Sequence, residues 1–262
     1  MTAKILLFDV ETAPAISYHW GRWDQNIGSS QVIQESYMLC WAAKWLDSEE
    51  VYWDALPEHT KTYKKDSTND VEIIKTLTEL MDEADIVIAH NGDHFDMKWL
   101  RKQLARHELP NVRVQKTIDT LKIAKRYFNF PSNRLAELAN YLGIDESKLD
   151  TDFSLWRKCM EGDDNAWRYM VDYNIQDLMP LEAVYLRLRP FMASHPNVAI
   201  YDETELACNV CGSDNLRKDG FYLTNTSKYQ RYSCNDCGNR RIRGRINLLS
   251  PETKLNLLTG GA

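Results

Sequence analysis

Apolar residues recur along this chain in two patterns, one typical of buried strands and the other of amphipathic helices. Lys4–Val10 (KILLFDV) is apolar on both alternating faces, which predicts a strand covered on both sides of a sheet. Tyr37–Trp45 and Val51–Trp53 predict two partner strands, and the polar segment Asp47–Glu50 between them predicts a hairpin turn. Asp85–Ala89 predicts another buried strand.

Helical periodicity separates and follows these strands. It is found in five segments: Asp70–Met81, Asp96–His107, Asp119–Tyr127, Leu135–Leu142 and Asn165–Leu188. Strands that alternate with helices predict an α/β fold. The periodic pattern stops near Pro190 and Pro196, and this shift in composition predicts a linker at residues 193–205. We therefore expect one domain at residues 1–192 and a small second domain at residues 206–262.

The small second domain has few long apolar runs, so it needs disulfides or a structural metal to stabilise it in place of a large core. Two CxxC pairs are spaced as in sites where four thiolates hold one structural Zn²⁺ in a tetrahedron. The expected ligands are Cys208, Cys211, Cys234 and Cys237. Gly212 and Gly238 directly follow the two pairs, as tight turns at such a site require.

Composition and sequence patterns limit the cellular setting. An apolar fraction of 44% predicts a globular protein with a proper core. No apolar run is long enough for a membrane span, and Met1–Val10 lacks the features of a signal peptide. We therefore expect a cytoplasmic protein, which would be in the host cytoplasm if the gene belongs to a phage. Without a secretory signal, two disulfides are a less favoured alternative to zinc, and Cys40 and Cys159 fit apolar core positions.

The net charge of −6 hides a difference between the two parts of the chain. From Leu206 onward there are nine Lys and Arg against four Asp and Glu, so the preceding part carries the acidic excess. A basic tail of this kind favours contact with nucleic acid, although a solvated surface would give the same composition.

Two carboxylates lie near the end of the first predicted strand. Residues two apart on a strand point to the same face, so Asp9 and Glu11 project together. Such a pair repels unless a cation neutralises it, and carboxylate oxygens suit Mg²⁺ or Mn²⁺. Acidic residues that simply begin a turn are the alternative.

Two further acidic sites follow along the chain. The predicted strand Asp85–Ala89 is followed by a segment in which Asp93 could cap the next helix and Asp96 could favour its first turn. Tyr173 and Asp177 are four apart in a helical pattern and so share one face. Taken alone, this second pair fits an ordinary amphipathic helix.

The three segments together resemble the three motifs of DEDDy-type 3'-to-5' exonucleases of the ribonuclease H-like superfamily, such as the proofreading domains of family B DNA polymerases. The matching patterns are Asp9-x-Glu11-Thr12, Asn91-x-x-x-Phe95-Asp96 and Tyr173-x-x-x-Asp177. The resemblance implies a mixed sheet flanked by helices. It also implies that Asp9, Glu11, Asp96 and Asp177 hold two Mg²⁺ or Mn²⁺ ions, and that Tyr173 orients or helps to deprotonate the attacking water. The histidine subgroup would have His at the position of Asp172, so the tyrosine subgroup is the expectation.

Other residues match the family less specifically. The resemblance implies substrate contacts for Thr12, Asn91 and Phe95, with core packing as the alternative for Phe95. Asp119 matches an acid that recurs between the second and third motifs, but it also fits a helix N-cap. We expect the remaining candidate ligands, His90 and His94, to be structural or to support the site indirectly.

The small domain interleaves aromatic and basic residues. The segment Tyr222–Tyr232 is followed by Arg240, Arg241 and Arg243, a composition that can contact phosphates and stack on bases. It resembles the zinc ribbons found beside transposases and in phage proteins. Such a ribbon either contacts the nucleic acid or docks a protein partner, for which a replication or repair protein is the expectation.

Three functions are compatible with these motifs. The first is a two-metal 3'-to-5' exonuclease acting on single-stranded or frayed DNA ends. The second is a 3'-to-5' exoribonuclease, because nothing in the motifs distinguishes deoxyribose from ribose. The third is a catalytically silent nucleic-acid adaptor, which the complete set of carboxylates disfavours.

Overall fold

The computed structural model describes residues 3–114, 116–144, 149 and 151–258. Contacts divide the chain into two compact units, a first unit formed by Lys4–Val184 and a second unit that begins at Tyr185. Val198, which falls in the predicted linker, is buried, and its N–H donates to the Asn209 carbonyl at 3.0 Å within the second unit. The boundary after residue 192 and the linker at 193–205 stay predictions.

A mixed five-stranded sheet forms the centre of the first unit. The strands of this unit are β1 (Ile5–Thr12), β2 (Ile16–Ser17), β3 (Val32–Gln34), β4 (Met38–Trp45), β5 (Val51–Ala55), β6 (Ile86–Ala89) and β7 (Lys116–Asp119). The order in the sheet is β5-β4-β1-β6-β7, with β4 antiparallel to β1 and β5, and β6 parallel to β1 and β7. Strand β1 is the central strand of the sheet, in agreement with the predicted burial of both its faces.

Helices cover the sheet of the first unit. They are α1 (Thr60–Lys65), α2 (Val71–Asp82), α3 (Asp96–Arg106), α4 (Thr120–Tyr127), α5 (Leu135–Tyr141), α6 (Phe153–Met160) and α7 (Asp164–Leu188), with 3₁₀ turns at Ser29–Gln31 and Leu56–Glu58. The apolar face of α2 is fully buried through Ile73, Ile74 and Leu77. The α/β class and the mixed sheet flanked by helices are therefore confirmed. Among the described helices, none is both long enough and apolar enough to cross a membrane.

Two buried polar contacts fix the elements that carry the functional residues. Lys44 of β4 is buried and forms an ion pair with Glu182 of α7. The buried carboxylate of Asp70, which precedes α2, accepts hydrogen bonds from the Met38 N–H at 2.8 Å and from the Gln103 side chain at 2.9 Å. These contacts hold α7 on β4 and hold α3 near the start of β4.

Several short elements were not predicted from the sequence. Strand β7 has two buried residues, Ile118 and Asp119, so it contributes almost no periodic signal. The hairpin of β2 and β3 contains only short strands whose residues are half-buried or exposed. Helix α6 buries Leu155 and Cys159 on one face within a single short segment.

The second unit contains a small antiparallel sheet. Its strands are β8 (Leu216–Leu223), β9 (Lys228–Cys234) and β10 (Ile242–Arg243), in the order β10-β9-β8. Two 3₁₀ turns, Arg189–Phe191 and Val198–Ile200, precede the sheet, and a short helix, α8 (Pro251–Asn256), follows it. One of its apolar clusters is formed by the buried residues Cys208, Val210, Cys234 and Ile242.

Candidate active site and cysteine site

Three carboxylates converge beyond the point where β1 stops pairing with β6. The pairing of β1 with β6 ends at Leu7 and Ile88, and β1 continues past it with Asp9 and Glu11 on one face. Asp177 reaches the same place from α7, and one oxygen of each carboxylate lies within 4.8 Å of the other two. This spacing allows the three side chains to share a cation.

The fourth predicted carboxylate, Asp96, is the first residue of α3 and is buried. It accepts a hydrogen bond from the backbone N–H of Val10, the β1 residue between Asp9 and Glu11. Asp96 lies outside the 4.8 Å group, but its charge acts on Asp9. The structure thus brings all four predicted carboxylates to the same end of the sheet.

Burial and mutual repulsion raise the pKa values of Asp9, Glu11 and Asp96. Burial is the largest cause for Asp9, followed by the charges of the other three, and its pKa lies well above the ordinary value. Burial and the charge of Asp177 raise the pKa of Glu11 to about 8. Burial raises the pKa of Asp96 to about 7. A divalent cation would offset this repulsion, so the cluster has the electrostatics of an ion site.

Two residues that the sequence analysis missed hold the carboxylates in place. The Asn174 side chain of α7 donates to Asp9 Oδ2 at 2.7 Å, and the indole N–H of Trp156 donates to Glu11 Oε2 at 3.2 Å. Asn174 is buried, and its Oδ1 accepts a contact from the Cys40 thiol at 3.7 Å. Cys40 is buried as predicted, and it also belongs to this network.

Tyr173 lies one helical turn before Asp177, as the sequence predicts. Its hydroxyl is hydrogen-bonded with Asp177 and with Thr151, and its ring meets the Trp156 ring edge to face at 6.1 Å. Burial, followed by the charges of Asp177 and Glu11, raises the pKa of Tyr173 above its ordinary range. The phenol is therefore a protonated hydrogen-bonding group at neutral pH.

Asp119 organises the second motif. It caps α4 by accepting from the N–H groups of Leu121 and Lys122, which confirms the N-cap interpretation. Its carboxylate also accepts from the Asn91 N–H at 3.0 Å. Asn91 has a left-handed backbone with φ of 67°, and a Cβ at the adjacent Gly92 would lie 2.5 Å from Ala89 Cβ. This turn leads the chain from β6 toward Asp96.

The other residues predicted to contact substrate flank the carboxylates. Thr12 ends β1 at an irregularity in its pairing with β4. Phe95 precedes Asp96 and is 41% exposed, so its ring is accessible from solvent. His90 is structural, because its ring bonds to the Thr120 hydroxyl and to the Asn133 carbonyl, whereas His94 is exposed.

The four paired cysteines form one cluster in the second unit. Their Sγ atoms all lie within 4.8 Å of one another, with 3.7 Å between Cys208 and Cys237 and 3.6 Å between Cys211 and Cys234. Four thiolates about 2.3 Å from a tetrahedral Zn²⁺ would be about 3.8 Å apart. Hydrogen bonds among the thiols lower the pKa of Cys208 and raise those of Cys211 and Cys237, because the Cys208 sulfur accepts from the other two. The donor set and its spacing therefore fit zinc.

The turns after the two cysteine pairs have the expected geometry. Gly212 and Gly238 both have φ of 76°, a left-handed conformation that glycine adopts without strain. Backbone hydrogen bonds close the turns, from Cys208 N–H to the Ser213 carbonyl at 2.7 Å and from Cys234 N–H to the Asn239 carbonyl at 2.8 Å. These hydrogen bonds fix the backbone around each pair of cysteines.

The predicted basic residues of the second unit have different environments. The Arg243 guanidinium lies 4.5 Å from the centroid of the Tyr229 ring and 5.5 Å from that of Tyr222. Arg240 pairs with Asp219 at 3.5 Å, while Arg241 is exposed. Arg243 and the two tyrosines form a combined aromatic and basic surface.

The fold has known counterparts. No curated protein matches the chain at a significant level. A family B DNA polymerase from the hyperthermophilic archaeon Pyrobaculum calidifontis is similar in structure, with a TM-score of 0.52 and 12% sequence identity. The similarity covers 72% of this chain and 25% of the polymerase chain, so this protein corresponds to about a quarter of that polymerase. At this identity, the likeness shows a shared fold.

The family assignment rests on the sequence. Residues 50–189 match the model of the RNase H superfamily, and this segment includes Asp96, Tyr173 and Asp177. Because the match spans more than half of the chain, the protein belongs to the RNase H superfamily.

Proposed function

We propose that this protein is a metal-dependent 3'-to-5' exonuclease that hydrolyses phosphodiester bonds at single-stranded or frayed 3' ends of DNA. The observation that carries the proposal is the convergence of Asp9, Glu11 and Asp177 within 4.8 Å, with Asp96 beside them. A cluster of repelling carboxylates with raised pKa values has no structural use, whereas an ion site needs one. Membership in the RNase H superfamily supports a nuclease-type function.

In the proposed mechanism the four carboxylates hold two Mg²⁺ or Mn²⁺ ions. When bound, two such ions would supply a deprotonated water and offset the charge that develops on the transferred phosphoryl group. Asn174 and Trp156 keep Asp9 and Glu11 in the orientation that ion binding requires, because each donates a hydrogen bond to one carboxylate.

Tyr173 orients the attacking water in this proposal. Its hydroxyl is already hydrogen-bonded with Asp177, and it would keep its proton at neutral pH because its pKa is raised. The phenol would therefore act by positioning the water, and its deprotonation would depend on bound ions. Thr12, Asn91 and Phe95 would contact the terminal nucleotides.

The test uses a 5'-labelled single-stranded DNA oligonucleotide and an RNA of the same sequence. Each is incubated with the protein in Mg²⁺, in Mn²⁺ and in chelator. We expect a ladder that shortens from the 3' end in metal and disappears in chelator. Asp9→Ala and Asp177→Ala should each abolish the ladder, whereas Asp172→Ala should leave it unchanged, because Asp172 is an exposed residue of the same helix.

The other outcomes separate the competing functions. Cleavage of RNA in preference to DNA would make the protein an exoribonuclease. Binding of both strands without cleavage in either metal would identify a nucleic-acid adaptor and refute the proposal. Release of the 5' label on a mononucleotide while the rest of the strand stays long would refute the proposed polarity.

A further inference from the structure

A solvent-exposed aromatic loop follows the strand that carries the first two carboxylates. Between β2 and β3, Tyr18, Trp20 and Trp23 are 74%, 100% and 83% exposed. A single exposed aromatic residue is common on protein surfaces, but three within six positions form a patch that signals a binding surface. We call the segment Tyr18–Gln31 the aromatic loop.

The aromatic loop has a defined conformation. The Gln31 side chain donates to the Tyr18 carbonyl at 3.0 Å and accepts from the Gly28 N–H at 2.9 Å. The Gln25 side chain donates to the Trp23 carbonyl at 2.6 Å and accepts from the Gly21 N–H at 3.2 Å. Side chains of the loop thus hydrogen-bond to its own backbone, and the indoles of Trp20 and Trp23 stay exposed to solvent. A preformed surface binds a ligand with less loss of conformational entropy.

The base of the loop is continuous with the strand pair at the candidate active site. Glu11 lies opposite Cys40 in the β1–β4 ladder, and the Ala13 N–H donates to the Tyr37 carbonyl. Beyond this point the two chain segments pair again, as the antiparallel strands β2 and β3, with Ile16 opposite Gln34. The loop is therefore the distal end of the hairpin whose other end carries the carboxylates.

Helix α3 holds this hairpin at its base. Lys102 and Gln103 contact the side chain and the carbonyl of Ser36, at 3.2 and 3.4 Å. Because α3 begins at Asp96, the hairpin is held between the two elements that supply the first three predicted ion ligands. A fully extended chain from Glu11 to Trp20 would span at most about 30 Å.

We infer that Trp20 and Trp23 stack on the bases of a single-stranded nucleic acid whose 3' end lies at the carboxylates. Base stacking on aromatic rings is tolerant of sequence, which suits an exonuclease that must pass every base. Stacked nucleotides rise about 3.4 Å each, so the loop meets nucleotides within about nine of the 3' end. The opposite charges of Arg22 and Asp24 cancel in the net charge of the loop. The loop therefore has no excess positive charge to attract phosphates, and stacking on the bases carries its contact with the strand. The inference rests on the proposed function.

The experiment compares three substrates that extend to different distances from the carboxylates toward the aromatic loop. They are the p-nitrophenyl ester of thymidine 5'-monophosphate, a 4-nucleotide strand and a 20-nucleotide strand. The variants are Trp20→Ala with Trp23→Ala, the corresponding double Phe variant, and Ile33→Ala as a control. Ile33 is 57% exposed on the same hairpin but has no ring to stack. Binding of the 20-nucleotide strand is also measured by fluorescence anisotropy with Ca²⁺ in place of Mg²⁺.

Stacking of a base on an aromatic ring corresponds to roughly 5- to 100-fold in affinity. We therefore expect the double Ala variant to lose about that factor for each indole removed, in kcat/KM and in affinity for the 20-nucleotide strand, with little change for the ester. The double Phe variant should keep most of the affinity, and Ile33→Ala should behave as the unmodified protein. The slope of log affinity against log salt concentration should not change, because no phosphate contact is removed.

Two results would separate the inference from the proposed function. Unchanged affinity and kcat/KM for the 20-nucleotide strand in the double Ala variant would overturn the inference, and the loop would then serve a different kind of partner. If the unmodified protein cleaves none of the three substrates, the proposed function fails. The anisotropy comparison would still decide whether the indoles bind the strand.

Discussion

The side-chain amide of Asn174 donates a 2.7 Å hydrogen bond to the carboxylate of Asp9. The bond joins the long helix α7 to the central strand β1, so two elements that are distant in sequence are aligned at the candidate ion site. The thiol of Cys40 contacts the Asn174 oxygen, which orients the amide nitrogen toward Asp9. Asn174 therefore supports the carboxylate of Asp9, one of the proposed ion ligands.

Loss of this hydrogen bond should weaken ion binding more than nucleic-acid binding. For Asn174→Ala we expect a 10- to 100-fold loss of exonuclease kcat and a higher Mn²⁺ concentration at half-maximal rate, as is typical when a partner of a metal ligand is removed. KM for a long oligonucleotide should change little. The measurement is a Mn²⁺ titration of the cleavage rate with Asp172→Ala as the matched control. Equal Mn²⁺ requirements in the two variants would contradict a positioning role for Asn174.

The raised carboxylate pKa values predict how the metal-free protein responds to pH. The folded state holds protons on Glu11 up to about pH 8 and on Asp96 up to about pH 7, whereas the unfolded chain releases them near pH 4. The unfolded state then binds fewer protons, so the free energy of unfolding must fall as pH rises from 6.5 to 8. The pKa values of His90 and His195 are lowered by burial, so these two side chains change the free energy of unfolding mainly below pH 6.5.

Thermal unfolding in chelator should therefore begin at a lower temperature at pH 8 than at pH 6.5. Glu11→Gln should stabilise the metal-free protein at pH 8 by about 1–2 kcal/mol, which corresponds to roughly 2–6 °C in Tm. Mn²⁺ should remove most of the pH dependence in the unmodified protein but not in the variant. Glu49→Gln, at an exposed position, is the control. A metal-free protein whose Tm is the same at pH 6.5 and pH 8 would show that burial and repulsion do not raise the pKa values of these carboxylates.

The sequence predicted the framework of the site because its elements have strong patterns. The run KILLFDV has apolar residues on both faces and becomes the central strand β1, and the spacing of Tyr173 and Asp177 places both on one face of α7. The supporting residues have no such pattern. Trp156 and Glu11 are separated by 145 positions, and the indole occupies a helix position where it resembles an ordinary packing residue. Their contact depends on tertiary packing, which local periodicity does not encode.

The cysteine cluster predicts one zinc ion per chain. Metal analysis of the purified protein should find close to one Zn²⁺, and Cys208→Ser with Cys211→Ser should remove it because two thiolates cannot complete the tetrahedron. Cys159→Ala, at a buried position in the first unit, should leave the zinc content unchanged.

Zinc loss should unfold the second unit, since its core is small and metal binding contributes to folding. Amide hydrogen exchange should show protection lost for β8 and β9 but kept for β1 and β4. Cleavage of the thymidine ester should persist, because the four carboxylates belong to the first unit. Protected β8 and β9 amides in the zinc-free variant would refute a structural role for the metal.

Arg241 and Arg243 allow a test of whether the second unit contacts the nucleic acid or docks a protein. Arg243 lies over Tyr222 and Tyr229, so it can meet a phosphate while the rings stack on bases, whereas Arg240 is already paired with Asp219. For a single strand, each phosphate contact adds about 0.7 to the slope of log affinity against log salt concentration. Arg241→Ala with Arg243→Ala should therefore lower the slope by about 1.4, and Arg240→Ala should lower it less. Lys61→Ala, an exposed cation of the first unit, is the control. If the slope of the double variant equals that of the unmodified protein, Arg241 and Arg243 do not contact phosphates, and docking of a protein partner becomes the better account of the second unit.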